Sequence, residues 1–135
     1  MTTTLSSDVR ALFDAKNFAT LATVNPDGSP QTSVVWVLRD GDALLISVIS
    51  DRKKARNVAR DPRVSVAIHD ADNPYTAAEV RGVAELLPDP AKELPAALSQ
   101  KYLGIDPPNE SADQIRLTIR ITPTVVHYAA LRGSA

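Results

Sequence analysis

Residues 18–50, FATLATVNPDGSPQTSVVWVLRDGDALLISVIS, hold three strand patterns separated by two tight reversals. Phe18 to Val24 reads as a strand, and Asn25-Pro-Asp-Gly-Ser29 carries the residues that turns favour. Gln31 to Leu38, rich in Thr, Val and Trp, is a second strand. Arg39-Asp-Gly-Asp42 closes a second hairpin, because Asp-Gly tolerates the positive φ of a type I′ turn. Ala43 to Ser50 is apolar at nearly every position and predicts a third strand, covered on both faces. Strands joined by hairpins, with no helix between them, point to an antiparallel sheet.

Working outward, the period changes at Asp51. Residues 51–60 put Ala55, Val58 and Ala59 on one helical face with cations around the rest. Asp61-Pro62 ends that helix, since a residue before proline avoids the α region. Arg63 to His69 predicts a fourth strand and Tyr75 to Leu87 a fifth, with Gly82 at a bulge or close approach. On the N-terminal side, Ser6, Ser7 or Asp8 caps a short helix that buries Val9, Leu12 and Phe13 and ends near Lys16-Asn17. Pro88 to Leu103 predicts a third helix, with Pro95 in its first turn or breaking it. Residues 104–112 form a loop. Ile115 to Tyr128 is a sixth strand, with Ile115, Leu117, Ile119 and Ile121 alternating and Pro123 marking a bend or an edge. The expected fold is mainly β with α: six antiparallel strands in a small barrel with three flanking helices. A length of 135 residues fits one domain, 1–135, with no repeat or linker.

Composition removes several kinds of chemistry. The chain has no cysteine, which excludes thiolate catalysis, disulfides and Cys-ligated metals. Its two histidines, His69 and His127, read as surface or hydrogen-bonded side chains, and no metal site is expected. Apolar runs fall short of a membrane span, and the first residues lack the pattern of a signal peptide. A cytoplasmic protein without membrane contact is expected.

The net charge of −1 speaks against nucleic acid as a partner, yet it hides a local concentration of cations. Arg52, Lys53, Lys54, Arg56 and Arg60 fall within nine residues that follow the strand ending at Ser50. A helix N-terminus with Arg52 and Lys54 beside it suits a phosphate. Asn57, three residues after Lys54, offers both a donor and an acceptor to a hydroxylated tail. The plainer alternative is a solvated basic face.

These residues resemble a family. The order helix, strand, Asn25-Pro-Asp-Gly-Ser-Pro-Gln31, strand, hairpin, strand, and then Lys54-Ala-Arg-Asn57 and Arg60-Asp-Pro-Arg63 is similar to the split β-barrel flavin and deazaflavin oxidoreductases. This is the pyridoxamine 5′-phosphate oxidase-like superfamily, and the likeness runs from about residue 5 to residue 130. Lys54-Ala55-Arg56-Asn57 matches the K-x-R-N pattern of the branch that uses coenzyme F420. The resemblance implies that Ser50, Arg52, Lys54 and Asn57 hold the cofactor's phosphate and the start of its tail. Arg56 either joins them or braces the helix against an acid. Gln31, Thr32, Ser33, Val34, Val35 and Trp36 would line the ring, with alternate residues facing it; Trp36 could equally be core. Members are homodimers with the cofactor between subunits, so Tyr75 would reach a ring bound mainly by the partner.

The function implied is an F420-dependent reductase that passes a hydride to a small electron-poor molecule, the cofactor carrying the chemistry. FMN is the alternative cofactor, and a non-catalytic flavin or F420 carrier the alternative function. Pyridoxamine phosphate oxidation itself is not expected. The residues up to Ala135 lack the Trp- and Arg-bearing C-terminal segment those enzymes use for substrate.

Overall fold

A computed structural model describes residues 3–130. Met1, Thr2 and Leu131–Ala135, the two ends of the expected domain, lie outside the described residues. The elements in chain order are α1 (Ser7–Asp14), β1 (Ala19–Val24), β2 (Pro30–Val35), β3 (Leu38–Asp40) and β4 (Ala43–Ile49). Then follow α2 (Lys53–Arg60), β5 (Arg63–His69), β6 (Thr76–Pro88), α3 (Glu93–Leu103) and β7 (Arg116–Ala130). The seven strands form one antiparallel sheet in the order β2-β1-β5-β6-β7-β4-β3.

The two edges of that sheet, β2 and β3, are consecutive in the chain and separated only by Trp36 and Val37. A link that short spans on the order of 10 Å, so the sheet must curl until its edges meet at this corner. The result is a split barrel. Leu21, Leu44, Ile46, Val66, Val80, Ile119 and Ile121 fill its interior, each almost wholly buried. Among the described residues no helix is long and apolar enough to cross a membrane.

Seven strands replace the six expected, because the stretch read as one strand from Gln31 to Leu38 is two. Val37 is fully buried between them, and side chains of α3 satisfy its backbone instead of a ladder. Its N–H donates to Tyr102 Oη at 3.2 Å, and its carbonyl accepts from Lys101 Nζ at 2.7 Å. The chain can therefore leave one sheet edge and join the other without an orphaned peptide. α1 stops at Asp14, short of Lys16-Asn17. The buried Asn17 amide donates to the Leu12 carbonyl at 3.0 Å and accepts from Ala71 N at 2.9 Å, closing the helix end.

On α2 the buried arc runs through Ala55, Asn57 and Val58 and leaves Ala59 exposed, a rotation away from the expected face. Ile115 is exposed ahead of β7, so the core alternation begins later, at Ile119. α3 begins at Glu93. The two Asp89 carboxylate oxygens accept from the Glu93 and Leu94 N–H groups, each at 3.0 Å, and Pro95 falls in the first turn, where no N–H is needed.

The β6–β7 ladder shifts register between Arg81 and Gly82, opposite Val125 and Pro123, so Thr124 is the extra residue. This is the bulge that Gly82 suggested. A Cβ on Gly82 would stand 2.4 Å from Thr122 O and 2.8 Å from Ile121 Cγ2. The nearer obstacle is backbone, which cannot rotate aside. Gly82→Ala should therefore destabilise the protein by about 1–3 kcal/mol, as overpacking does. Urea denaturation checks this, and an unchanged midpoint would mean that the β6–β7 crossing is not so tight.

Candidate functional site

The end of β2, the middle of β4, α2 and α3 surround a cleft of about 570 Å³. One wall carries Val34, Val35, Trp36, Ser47 and Lys54; the other carries Pro95, Leu98, Ser99 and Leu103 of α3 with Pro107 and Pro108 beyond it. Lys92, Asn109, Glu110 and Arg116 complete the lining. Apolar walls with a few convergent polar groups are the usual form of a small-molecule site.

Trp36 sits at the sheet corner and lies flat on Tyr102, with ring centroids 5.1 Å apart and planes 6° apart. Tyr102 also stacks on Phe18 at 5.8 Å, and its hydroxyl donates to the Asn17 carbonyl at 2.7 Å. Lys101, its neighbour on α3, donates to the carbonyls of Phe13 and Val37. Burial holds the Lys101 ammonium down to about 8, opposed by the nearby Asp14 carboxylate. Trp36 is therefore half-buried, outside the hydrophobic core, and stacks on Tyr102 while lining the cleft.

Lys54 is the half-buried cation of α2. Burial, and then the charges of Arg52 and Arg116, lower its pKa below the usual ammonium value. Its Nζ donates to Ser33 Oγ at 3.3 Å, and among the described residues it makes no ion pair. A desolvated ammonium without a counter-charge is costly unless an anion joins it.

Arg116 and Lys92 are differently placed. Glu110 Oε1 accepts from Arg116 Nε at 3.0 Å and from Arg116 Nη2, and Glu110 Oε2 stands 3.3 Å from Lys92 Nζ. Arg116 Nη1 reaches Ser47 Oγ at 3.4 Å. The Arg116 side chain, with a smaller contribution from Lys92, holds the Glu110 carboxyl down at about 2.

Of the residues read from the sequence, Val34, Val35, Trp36 and Lys54 line this cleft, and Ser33 meets it through Lys54. β2 alternates as expected, with Gln31, Ser33 and Val35 more covered than Thr32 and Val34. Gln31 turns to β1, where its Oε1 accepts from Thr23 Oγ1 at 2.8 Å. Ser50 lies in the turn before α2, its N–H donating to the Ile115 carbonyl at 2.8 Å. Arg52, at the N-cap of α2, and Arg56, within it, are exposed outside the cleft. Arg56 makes no salt bridge among the described residues. Tyr75 is 61% exposed on the loop before β6, also outside the cleft.

Asn57 is a correction. It is 1% exposed, and its amide N–H groups donate to Thr23 Oγ1 and Asn25 Oδ1, both at 3.0 Å. Its Oδ1 accepts from Arg60 Nη2 at 3.2 Å. The side chain is saturated by protein partners and faces β1, so it ties the basic helix to the turn instead of touching a cofactor tail. A donor-acceptor side chain at i+3 from Lys54 satisfies either role in sequence. Only the burial separates them.

The sequence reading missed Ser47, Tyr102, Glu110 and Arg116. The Ile119–Ile121 alternation does put Arg116 and Thr118 on the opposite face of β7, a signal that was available. Glu110 sits in a loop with no periodicity, and nothing in sequence links it to Arg116.

Residues 5–130 match the sequence profile of the pyridoxamine 5′-phosphate oxidase family. An F420 reductase of known structure is 35% identical, with 91% of this chain and 98% of that chain covered and a TM-score of 0.82. A conserved hypothetical protein of Mycobacterium tuberculosis is 22% identical over 99% of this chain and 92% of its own, with a TM-score of 0.78. A pyridoxamine 5′-phosphate oxidase-related, FMN-binding protein of Nostoc punctiforme is 17% identical over 88% and 76%, with a TM-score of 0.66. The last two show the shared fold.

Two stability measurements check this geometry. Asn57→Ala takes partners from the buried Thr23 hydroxyl and the half-buried Asn25 amide and should cost about 1–3 kcal/mol in denaturant unfolding, whereas a surface asparagine would cost almost nothing. The Glu110 carboxyl is held at about 2, below its unfolded value of 4.5. Its contribution is thus complete above pH 4.5 and lost as pH falls from there towards 2. The stability difference between the wild type and Glu110→Gln should shrink across that window; a difference that stays constant would contradict the pairing.

Proposed function

The chain belongs to the pyridoxamine 5′-phosphate oxidase family, and on that basis we propose that it is an F420-dependent reductase transferring a hydride to an electron-poor organic acceptor. Lys54 carries the proposal. It is a partly desolvated cation without a carboxylate partner, and it opens onto a cleft flanked by Val34, Val35 and Trp36. An anionic cofactor supplies the missing counter-charge, and the strand end offers a flat wall for a ring. The 35% identity to an F420 reductase supports the deazaflavin over FMN.

When bound, the deazaflavin supplies the hydride and reacts little with oxygen, because carbon replaces the flavin N5. Lys54 would pair with the cofactor's phosphate, assisted by Ser33, which already accepts its hydrogen bond. Arg52, Arg56 and Lys53, exposed at the N-cap and along the first two turns of α2, suit the phosphate and the carboxylates of a polyglutamate tail outside the cleft. Trp36, stacked on Tyr102, would hold one flank of the ring and exclude water. No side-chain acid or base is required for the hydride step itself.

We further propose a homodimer with the cofactor between subunits. Val34 is 70% exposed at the free edge strand, with exposed Phe18 near it beside Trp36. Such an apolar edge is a poor surface for a lone molecule. In this arrangement Tyr75 of one subunit would reach the ring held by the other.

Titration of the apo-protein with F420 and with FMN tests the reading. The emission of Trp36, the one tryptophan in the chain, reports on the cleft. The expected result is micromolar or tighter F420 binding with much weaker FMN, and the reverse order overturns the cofactor. Lys54→Ala should weaken F420 by about 1.5–3 kcal/mol, as for loss of a charged hydrogen bond. Unchanged affinity would reduce Lys54 to a surface charge. Tight F420 binding without oxidation of its reduced form by any of a broad set of acceptors would make the protein a carrier.

A further inference from the structure

Three cations and one carboxylate line the cleft: Lys54, Lys92, Arg116 and Glu110. The carboxylate is not shared evenly. Glu110 takes Arg116 through two nitrogens and Lys92 through Nζ, while Lys54 has only the Ser33 hydroxyl. We propose that Glu110 is a specificity-determining residue. By holding Arg116 and Lys92 it leaves Lys54 as the lining cation most open to a ligand's anionic group, and it weakens the hold of the rest of the cleft on an anionic acceptor relative to an uncharged one. This rests on the reading of the cleft as a reductase site.

Three observations bear on it. The Arg116 and Glu110 side chains are mostly covered, at 20% and 19% exposed, and are joined through two guanidinium nitrogens. An acceptor carboxylate would have to displace a partner that is already tethered and oriented, at a cost in free energy that an uncharged acceptor avoids. Glu110 also presents its own negative charge to any anion entering between the walls. Second, the cleft lining from α3 and from the segment that carries Glu110 is largely apolar, with Pro95, Leu98, Leu103, Pro107 and Pro108 beside Ser99 and Asn109. Third, the Arg116 charge is close enough to Lys54 to lower its pKa, so the two cations act on one space. Freeing Arg116 from Glu110 would put a second available cation into that space.

A matched pair of probes tests the idea: 1,4-naphthoquinone and 1,4-naphthoquinone-2-sulfonate, which share a ring and differ by one charge. With no cysteine in the chain, thiol addition to the quinones cannot interfere. Quenching of Trp36 gives both dissociation constants on the protein without cofactor. Lys54 stays open to the sulfonate in the wild type and in these variants alike, so the ratio of the two constants is the readout. Glu110→Gln should shift the ratio towards the sulfonate on the order of tenfold, and Arg116→Gln should shift it the opposite way. A purely structural pin would weaken both probes in parallel in both variants, so an unchanged ratio overturns the proposal. Failure of the wild type to bind the uncharged quinone also overturns it. Should Glu110→Gln not fold, Arg116→Gln and Lys92→Met both predict a ratio moved away from the sulfonate, and any other direction refutes the role of Glu110. A constant ratio in a protein that binds F420 removes this inference alone, whereas absence of F420 binding removes the reading beneath it.

Discussion

The peptide of Val37 is the constraint on which the rest of the structure depends. It lies at the corner where the chain passes from β2, one edge of the sheet, to β3, the other. It is buried, and neither ladder reaches it, so an unsatisfied N–H and carbonyl would each cost about 1–3 kcal/mol. Tyr102 and Lys101 remove that cost from α3, far away in sequence. The same two residues are anchored to the end of α1 and to the turn after it, through the Phe13 and Asn17 carbonyls. One helix thereby fastens the barrel corner and roofs the cleft beside it.

Closure of the corner and the shape of the site consequently rest on the same contacts. Trp36 precedes Val37, so the bonds that fix the corner also fix the indole, and Tyr102 supplies both the hydroxyl for the backbone and the ring beneath Trp36. Burial at this corner lowers the Lys101 pKa to about 8, against the opposing pull of the Asp14 carboxylate. On the other side of the cleft, Asn57 locks α2 to β1 and its turn, which settles where Lys54 projects. Rigid supports of this kind matter because the proposed chemistry belongs to a bound ring, and the protein contributes position and charge.

Charge in the cleft divides between a satisfied group and an unsatisfied one. Arg116, Lys92 and Glu110 complete one another, while Lys54 faces the cavity without a carboxylate. The near-zero net charge of the chain conceals both arrangements, since the two cations of the first share one loop acid, Glu110, and the second draws on the basic helix. A cavity that pairs most of its ions internally and leaves one open is built for selectivity more than for raw attraction.

Much of this was legible in the chain itself. Turn chemistry at Asn25-Pro-Asp-Gly-Ser29 and Arg39-Asp-Gly-Asp42, the two-residue alternation of the strands, the glycine bulge at Gly82 and the cation cluster of α2 are local properties, fixed by backbone sterics and side-chain type within a few residues. They determined an antiparallel barrel and pointed to Lys54. What the tertiary structure decided involves partners distant in sequence. The break of one expected strand into β2 and β3 requires Tyr102, the burial of Asn57 requires Thr23 and Asn25, and the pairing of Glu110 with Arg116 requires a loop laid against β7. Hydrogen bonds and ion pairs have no periodicity along the chain. Their geometry exists only once the barrel has closed.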